Sequence, residues 1–456
     1  MRISGRTVAP ALITATLVAL PATPAWAEPD APAVPSDAAA AAGWAGRQLK
    51  DGDHVEGDFG ADAGLTADVV LALSATRTGR AETAAATDWL AAHADSYLTG
   101  DTPGDIYAGS LAKLALVAEA GHRDPGAFAG RDLIAQLNSR MQPSGRFTDH
   151  ATFGGAEVND YSNTLTQSLA LIALKRDGDA VPALAVDFLL ANQCADGGFP
   201  VFFPDAGAEC ASDADGTGMV VQALLAAGQE EDAAGKALDW LESKQGKDGG
   251  FAGTGPTAVV NANSTALATQ ALRAGGRGAA ADKGAGWLRA RQVGCGGAAG
   301  DRGAVGYQEA AADGSALRAT VQAVTALSGI SYATVDGAGA TDGLATLDCS
   351  SPSPTGSGSA TASPTPTGEP TEPGGSATPT DSATPSASDS APVTPSAAAP
   401  ASDGSAAAGG TGGTGGALAS TGTSVLAPAA GSAALVAAGA AVVIAARRRR
   451  SAGTGA

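Results

Sequence analysis

The sequence predicts an all-α domain, an (α/α)6 toroid in which amphipathic outer helices alternate with apolar inner ones. Three observations predict it. A two-part unit recurs roughly every 44 to 55 residues, and self-similarity at a fixed period of that size marks a repeat architecture. Within each unit an amphipathic segment precedes an Ala/Leu-rich segment with few charges, the pattern of an outer layer covering an inner one. Glycine-rich turns separate the two, and glycine supplies the positive φ that ends a helix.

The outer element is an aromatic residue or leucine followed about five positions later by a polar side chain. Along the chain it reads Trp44 to Gln48, "DWLAAH" at Trp89, "DLIAQLN" at Leu133, "DFLLANQ" at Phe188, "DWLESKQ" at Trp240 and "GWLRARQ" at Trp287. The inner element reads "LTADVVLALSA", "AGSLAKLALVAEA", "TLTQSLALIAL", "GMVVQALLAAG", "STALATQALRAGG" and "ALRATVQAVTALSG". Six such pairs are enough to close a ring. The turns "QCADGGF" (Gln193 to Phe199) and "QGKDGGF" (Gln245 to Phe251) join the pairs. Trp44, Trp89, Trp240 and Trp287 hold one place in the outer element, so they are expected to be core staples. Phe199 and Phe251 are expected to anchor their turns.

These Gln-x-x-x-Gly-Gly-Phe turns resemble those of the prenyltransferase and squalene-cyclase repeat superfamily, over most of residues 40–330. The resemblance implies a terpenoid cyclase/protein prenyltransferase-like toroid, a scaffold that hosts many activities. Asp213-Ala-Asp215-Gly-Thr217 is similar to the Asp-x-Asp-Asp-Thr motif of class II terpene cyclases, whose middle Asp protonates a double bond or epoxide. Gly216 stands where the third Asp belongs, and a chain that is only 4% aromatic has few rings to stabilise a carbocation. Zinc prenyltransferases of this scaffold use Asp, Cys and His, but no histidine accompanies Cys295 or Cys349 at ligand spacing. The Cys-Gly-Glu-Gln of thioester toroids is "CGGA" here. A lyase would need a Tyr or His base beside Arg or Lys, whereas this mouth is acidic. No cofactor or metal is expected, although the superfamily's corrinoid carriers make a cobalamin-like ligand one candidate.

Aligning the inner elements places Asp62, Asp105, Asp213, Asn261 and Asp313 at one position before each helix, with Val158 interrupting the series and Asp160 two residues on. Asp215, Asn263 and Ser315 hold the second position. Asp and Asn are preferred N-caps, because their oxygens accept the free N–H groups of the first turn. Taken singly, each is expected to be a cap. Together they would ring a mouth where six helix N-termini converge, with Tyr107, Tyr161 and Tyr307 nearby. Such a ring suits a ligand with an apolar body and a polar or cationic head.

The ends of the chain carry their own signals. Residues 1–27 have two arginines, an apolar run and Ala25-Trp-Ala27, the pattern of a secretory signal peptide cut after Ala27. Residues 36–350 remain as one toroid domain. Residues 351–417 are Pro, Ser, Thr, Gly and Ala, unable to bury enough surface to offset ordering entropy. Within 418–456, Leu418-Ala419-Ser420-Thr421-Gly422 precedes an apolar stretch (Val425 to Ala446) and Arg447 to Arg450. The three features in that order resemble a sortase sorting signal, which implies transient contact with sortase and attachment of Thr421 to peptidoglycan. The domain's charge stays close to the −19 of the whole chain, which argues against nucleic acid as a partner. Four cysteines outside the cell suggest disulfides, and three connectivities are open. Cys194 and Cys210 flank one excursion of a single repeat. Cys295 and Cys349 would tie the domain's end back to the ring. Those pairings are expected. The function expected is a wall-anchored toroid that binds a small ligand or surface partner without chemistry. An enzyme of the cyclase or lyase class and a purely structural surface protein are the alternatives.

Overall fold

The computed structural model describes residues 34–58, 60–100, 104–153, 156–158, 160–228 and 231–350. The expected signal peptide with Ala27, the expected linker 351–417 and the expected sorting signal with Thr421 lie outside the described residues. The helices run α1 (Ser36–Gly46), α2 (Ala63–Thr76), α3 (Arg80–Ala92), α4 (Ala94–Thr99), α5 (Ala108–Ala120), α6 (Leu133–Ser139) and α7 (Thr164–Asp177). They continue as α8 (Ala183–Ala191), α9 (Ala214–Ala227), α10 (Glu231–Lys244), α11 (Ala262–Ala274), α12 (Gly278–Arg289) and α13 (Ala316–Ser328). Helices α2, α5, α7, α9, α11 and α13 each pack on the next, and α13 returns to α2. That closed circuit is the inner ring, and α1, α3, α6, α8, α10 and α12 lie against it. The chain is an all-α toroid.

The inner helices are buried on every side, and most of what they bury is apolar. From Ala262 to Leu272 no residue of α11 is exposed, as expected of a helix buried all round. Small residues set the spacing. A Cβ on Gly218 of α9 would stand 2.8 Å from the backbone of Leu267 in α11, closer than real atoms approach.

Two side-chain bonds repeat around the ring and explain its turns. A threonine in the first turn of an inner helix accepts the backbone N–H of the preceding turn: Thr66 from Val55, Thr217 from Phe199, Thr265 from Phe251 and Thr320 from Val305, at 2.8–2.9 Å. In α7, Gln167 does the same for Phe147. The glutamine that ends an outer helix donates to its own turn and to the next outer helix. Gln193 bonds Gly197 and Ala233, Gln245 bonds Gly249 and Ala280, and Gln292 bonds Gly303 and Asp37. The last of these joins the sixth repeat to the first. The turn glycines are required: Gly249 has φ +98° and its Cβ would lie 2.3 Å from the Lys283 carbonyl.

Three tryptophans are staples. Trp240 and Trp287 donate from Nε1 to Asp196 and Asp248 of the preceding turns, and Trp44 donates to the Gly300 carbonyl. Trp89 differs from that expectation. It is half-buried and stacks between His54 and His93, at 4.9 and 4.1 Å between centroids, although Asp51 stands at the turn position that Asp196 and Asp248 hold elsewhere.

Residues 331–349 form a strap across the C-terminal ends of the inner helices, the base of the ring. Tyr332 is buried and its N–H donates to Gln222 of α9. Arg176 at the end of α7 donates to the carbonyls of Ala333 and Val335 while pairing with Glu119 of α5. Gly337 donates to Ala120, and Thr341 to Arg77. Cys349 is then bonded to Cys295, and Cys194 to Cys210. Both pairings match the expectation.

Candidate functional site: the mouth and interior of the ring

The N-terminal ends of the inner helices are built from caps. Asp62 caps α2 by accepting from Leu65 N, and its second oxygen pairs with Arg318 of α13 at 3.0 Å. Asp213 caps α9 through Oδ1, which accepts from Asp215 N at 2.7 Å. Its Oδ2 accepts from both the N–H and the hydroxyl of Thr254 in the next repeat. Asn261 caps α11 by accepting from Ser264 N. These three residues therefore spend their polar atoms on structure.

Three of the expected positions stand elsewhere. Helix α7 is capped by Asn163, which accepts from Leu165 and Thr166. Asp160 lies in the preceding loop, where it accepts from Asp149 and Ser162 and pairs with Arg146. Helix α5 begins with Tyr107 at the cap position, and Asp149 of the following repeat accepts from Ala108 N at 2.7 Å. Asp105 is buried beside that turn. Asp313 is exposed, and its side chain accepts from the N–H and hydroxyl of Ser315, one residue before α13. The turn bond explains this last shift. Thr66, Thr217 and Thr265 lie four residues after Asp62, Asp213 and Asn261, so the slot matching Thr320 is Ala316. An alignment of α13 on Asp313 is three residues out of register.

The threonines that bond the turns point away from the ring's interior. On a helix of 3.6 residues per turn, side chains two before, two after or five after such a threonine lie on the opposite side. Those places hold Asp215 and Gln222 on α9, Asn263 and Gln270 on α11, Gln322 on α13 and Asp68 on α2. All six are buried, none more than 5% exposed. Burial pushes the Asp215 carboxyl up to about 7, helped by the neighbouring charge of Asp213 and opposed by a hydrogen bond from Ser264. Its Oδ1 has no protein partner. Asn263, at the matching place on α11, has none for either amide atom. Asp68 pairs with Lys113 of α5 at 2.9 Å, and burial holds its carboxyl above the ordinary range.

The tyrosines lie at the entrance. Burial raises Tyr307, and the charge of Asp215 adds to it. Burial also raises Tyr107, with Asp105, Asp149 and Tyr161 contributing. Tyr161 is 40% exposed and Phe202 70%. Phe203 packs edge-on to Phe188 and under Arg146. The disulfide-closed excursion thus touches α7, where the Val201 carbonyl accepts from Thr164 N.

Sequence reasoning missed Ser264, Gln270, Gln322, Asp68 and Lys113. The last two were visible as charges inside largely apolar inner segments. The glutamines served only as markers for alignment. Among the described residues no group of three or more His, Cys, Asp or Glu is placed to hold a metal ion.

Searches against protein-family models and curated proteins found no match. Similar solved structures include a type II terpene cyclase from Scytonema in complex with geranylgeranyl dihydroxybenzoate, at 16% identity and TM-score 0.49 over 66% of this chain and 97% of that one. A protein from Actinoplanes matches at 17% and 0.47, over 64% of this chain and 98% of that one. The ent-copalyl diphosphate synthase from Streptomyces platensis matches at 20% and 0.38, over 59% of this chain and 50% of that one. At such identities the likeness concerns the fold alone. Fold and site together define a class: an α/α toroid with structural caps at its rim and buried polar side chains facing its interior.

Proposed function

We propose that residues 36–350 form a small-molecule-binding toroid, exported and held at the cell wall, whose ligand enters at the mouth and lodges against Asp215 and Asn263. The observation that carries this reading is Asn263. It is 1% exposed, and neither its amide oxygen nor its nitrogen meets a protein partner. A buried amide left without hydrogen bonds costs about 1–3 kcal/mol, and a purely structural interior would hold an apolar residue there. Native mass spectrometry of the domain purified from its own source tests the proposal. A retained small molecule that Asn263→Leu releases is the expected result. A domain that carries nothing, with and without the substitution, would sink it.

Display at the wall rests on the signal peptide, the linker and the sorting signal around Thr421. Thr421→Ala is expected to shift the protein from the wall fraction to membrane or medium. Persistent covalent attachment to peptidoglycan would contradict the sorting signal.

A second reading has its own observation. With its carboxyl raised to about 7, Asp215 retains a proton near neutral pH, and Oδ1 is unengaged. A buried neutral carboxyl of this kind can hand a proton to an electron-rich ligand. If the ligand released from wild type differs chemically from the one released from Asp215→Asn, the domain is an enzyme. If the two are identical, it is a binder.

A further inference from the structure

The interior has a composition as well as a location. Seven of its buried polar atoms lack protein partners: Oδ2 of Asp68, Oδ1 of Asp215, Oε1 of Gln322, and both amide atoms of Asn263 and Gln270. Five are oxygens and two are nitrogens; the two NH2 groups carry four N–H donors and the protonated Asp215 an O–H, so the set both accepts and donates hydrogen bonds. Buried acceptors need donors, and a hydrocarbon or an acceptor-only molecule would leave them desolvated at a cost. The set is also near neutrality. Lys113 offsets Asp68 at 2.9 Å, and Asp215 takes up a proton on burial, so little unbalanced charge remains for a cation.

Depth adds a constraint. Asp215 and Asn263 lie in the first turn of their helices, and Gln270 lies seven residues below Asn263. At 1.5 Å per residue that separation is about 10 Å. Seven residues also return to nearly the same side of a helix, so the two side chains face the interior one above the other. The deeper level includes Gln222, already held by the strap through Tyr332 N.

We propose that the interior takes a neutral polyhydroxylated molecule about 10 Å long, whose hydroxyls bond Asp215 and Asn263 at the outer end, Gln322 and Asp68 about 6 Å further in, and Gln270 about 10 Å in. The proposal rests on the reading of the interior as a binding site and adds the chemical class of its occupant.

Isothermal titration with sorbitol, myo-inositol and trehalose tests it, with spermidine and farnesol as contrasts, on wild type, Gln270→Met and Gln322→Met. Methionine nearly keeps the shape of glutamine and removes its polar atoms. Saturable binding of at least one polyol is expected, weakened about tenfold or more by either substitution, as loss of one buried hydrogen bond implies. The same substitutions are expected to raise the melting temperature of the free domain, because each deletes an unsatisfied amide. Binding of spermidine or farnesol alone overturns the proposal, as does polyol binding that neither methionine weakens. A lower melting temperature in both variants overturns it too, since the glutamines would then be structural. If none of the polyols binds to a domain that retains a small molecule from its source, this class is wrong and the binding reading stands. A domain that retains nothing removes both.

Discussion

At the base of the ring the partly buried Arg176 engages Glu119 and the carbonyls of Ala333 and Val335, whereas near the mouth Asn263 is more deeply buried and meets no partner. Loose ends remain at the base, the second oxygen of Glu119 and the hydroxyl of Ser74 among them, and burial pushes the Glu119 carboxyl up to about 8 against the pull of Arg176. Near the mouth the rim caps Asp62, Asp213 and Asn261 are saturated, and the unsatisfied atoms begin one turn further in. The same chain therefore satisfies most polar groups where the strap closes the ring and leaves more of them open where a molecule could enter. Economy of hydrogen bonding separates structure from site here better than residue type does, since aspartates and amides occur in both.

This contrast can be broken from the base upwards. Replacing Cys295 and Cys349 by Ser should cost the most, about 4 kcal/mol on the chain-entropy model for a separation of 54 residues. Denaturant melts read it, and an unchanged midpoint would mean that the strap holds without its bond. Arg176→Ala should cost about 3 kcal/mol, because a buried pair loses one member and two strap carbonyls lose their donor.

Asp215 should show its effect in pH dependence. Its folded pKa is raised to about 7 from an unfolded value of about 3.9, so between these values the unfolded chain ionises while the folded one keeps its proton. Stability then falls as pH rises through this window and levels off above about 7. From pH 5 to 7 wild type should lose about 2 kcal/mol relative to Asp215→Asn. Parallel stability curves for the two proteins would place the carboxyl's pKa at an ordinary value. The smallest effects sharpen the register: Asp62→Ala should cost about 1 kcal/mol as a lost cap, and Asp313→Ala, on an exposed residue that caps nothing, less than about 0.5 kcal/mol. Equal costs would restore the alignment on Asp313.

Much of the scaffold was legible in the sequence because its causes are local. The alternation of amphipathic and apolar segments marks the two rings, and Gly249 in "QGKDGGF" sits where only glycine fits. Cys194 and Cys210 flank a single excursion, so their pairing followed from chain order. What stayed hidden is non-local. Asp149 caps a helix that starts 41 residues earlier, and no window of sequence shows that Ala108 needs it. Asp313 reads as a cap by spacing, yet Thr320, bonded to Val305 N, fixes α13 in a different register. The strap has neither repeat nor periodicity, and its meaning comes entirely from the helix ends it crosses. The interior site was hidden for another reason: Gln270 and Gln322 look like ordinary helix residues until their burial and lack of partners are known.

The strap also bears on how the domain acquires its fold. Arg80 bonds a carbonyl 260 residues later, and Trp44 one 256 residues later. Each repeat can form its helix pair from local contacts, but the circuit closes only through contacts spanning most of the domain. Chains dominated by such distant contacts fold slowly, because loop-closure entropy must be met before those contacts form. The domain's rate-limiting event is therefore expected to be ring closure rather than helix formation. A chain stopped after α13 would have all six inner helices and no floor beneath them.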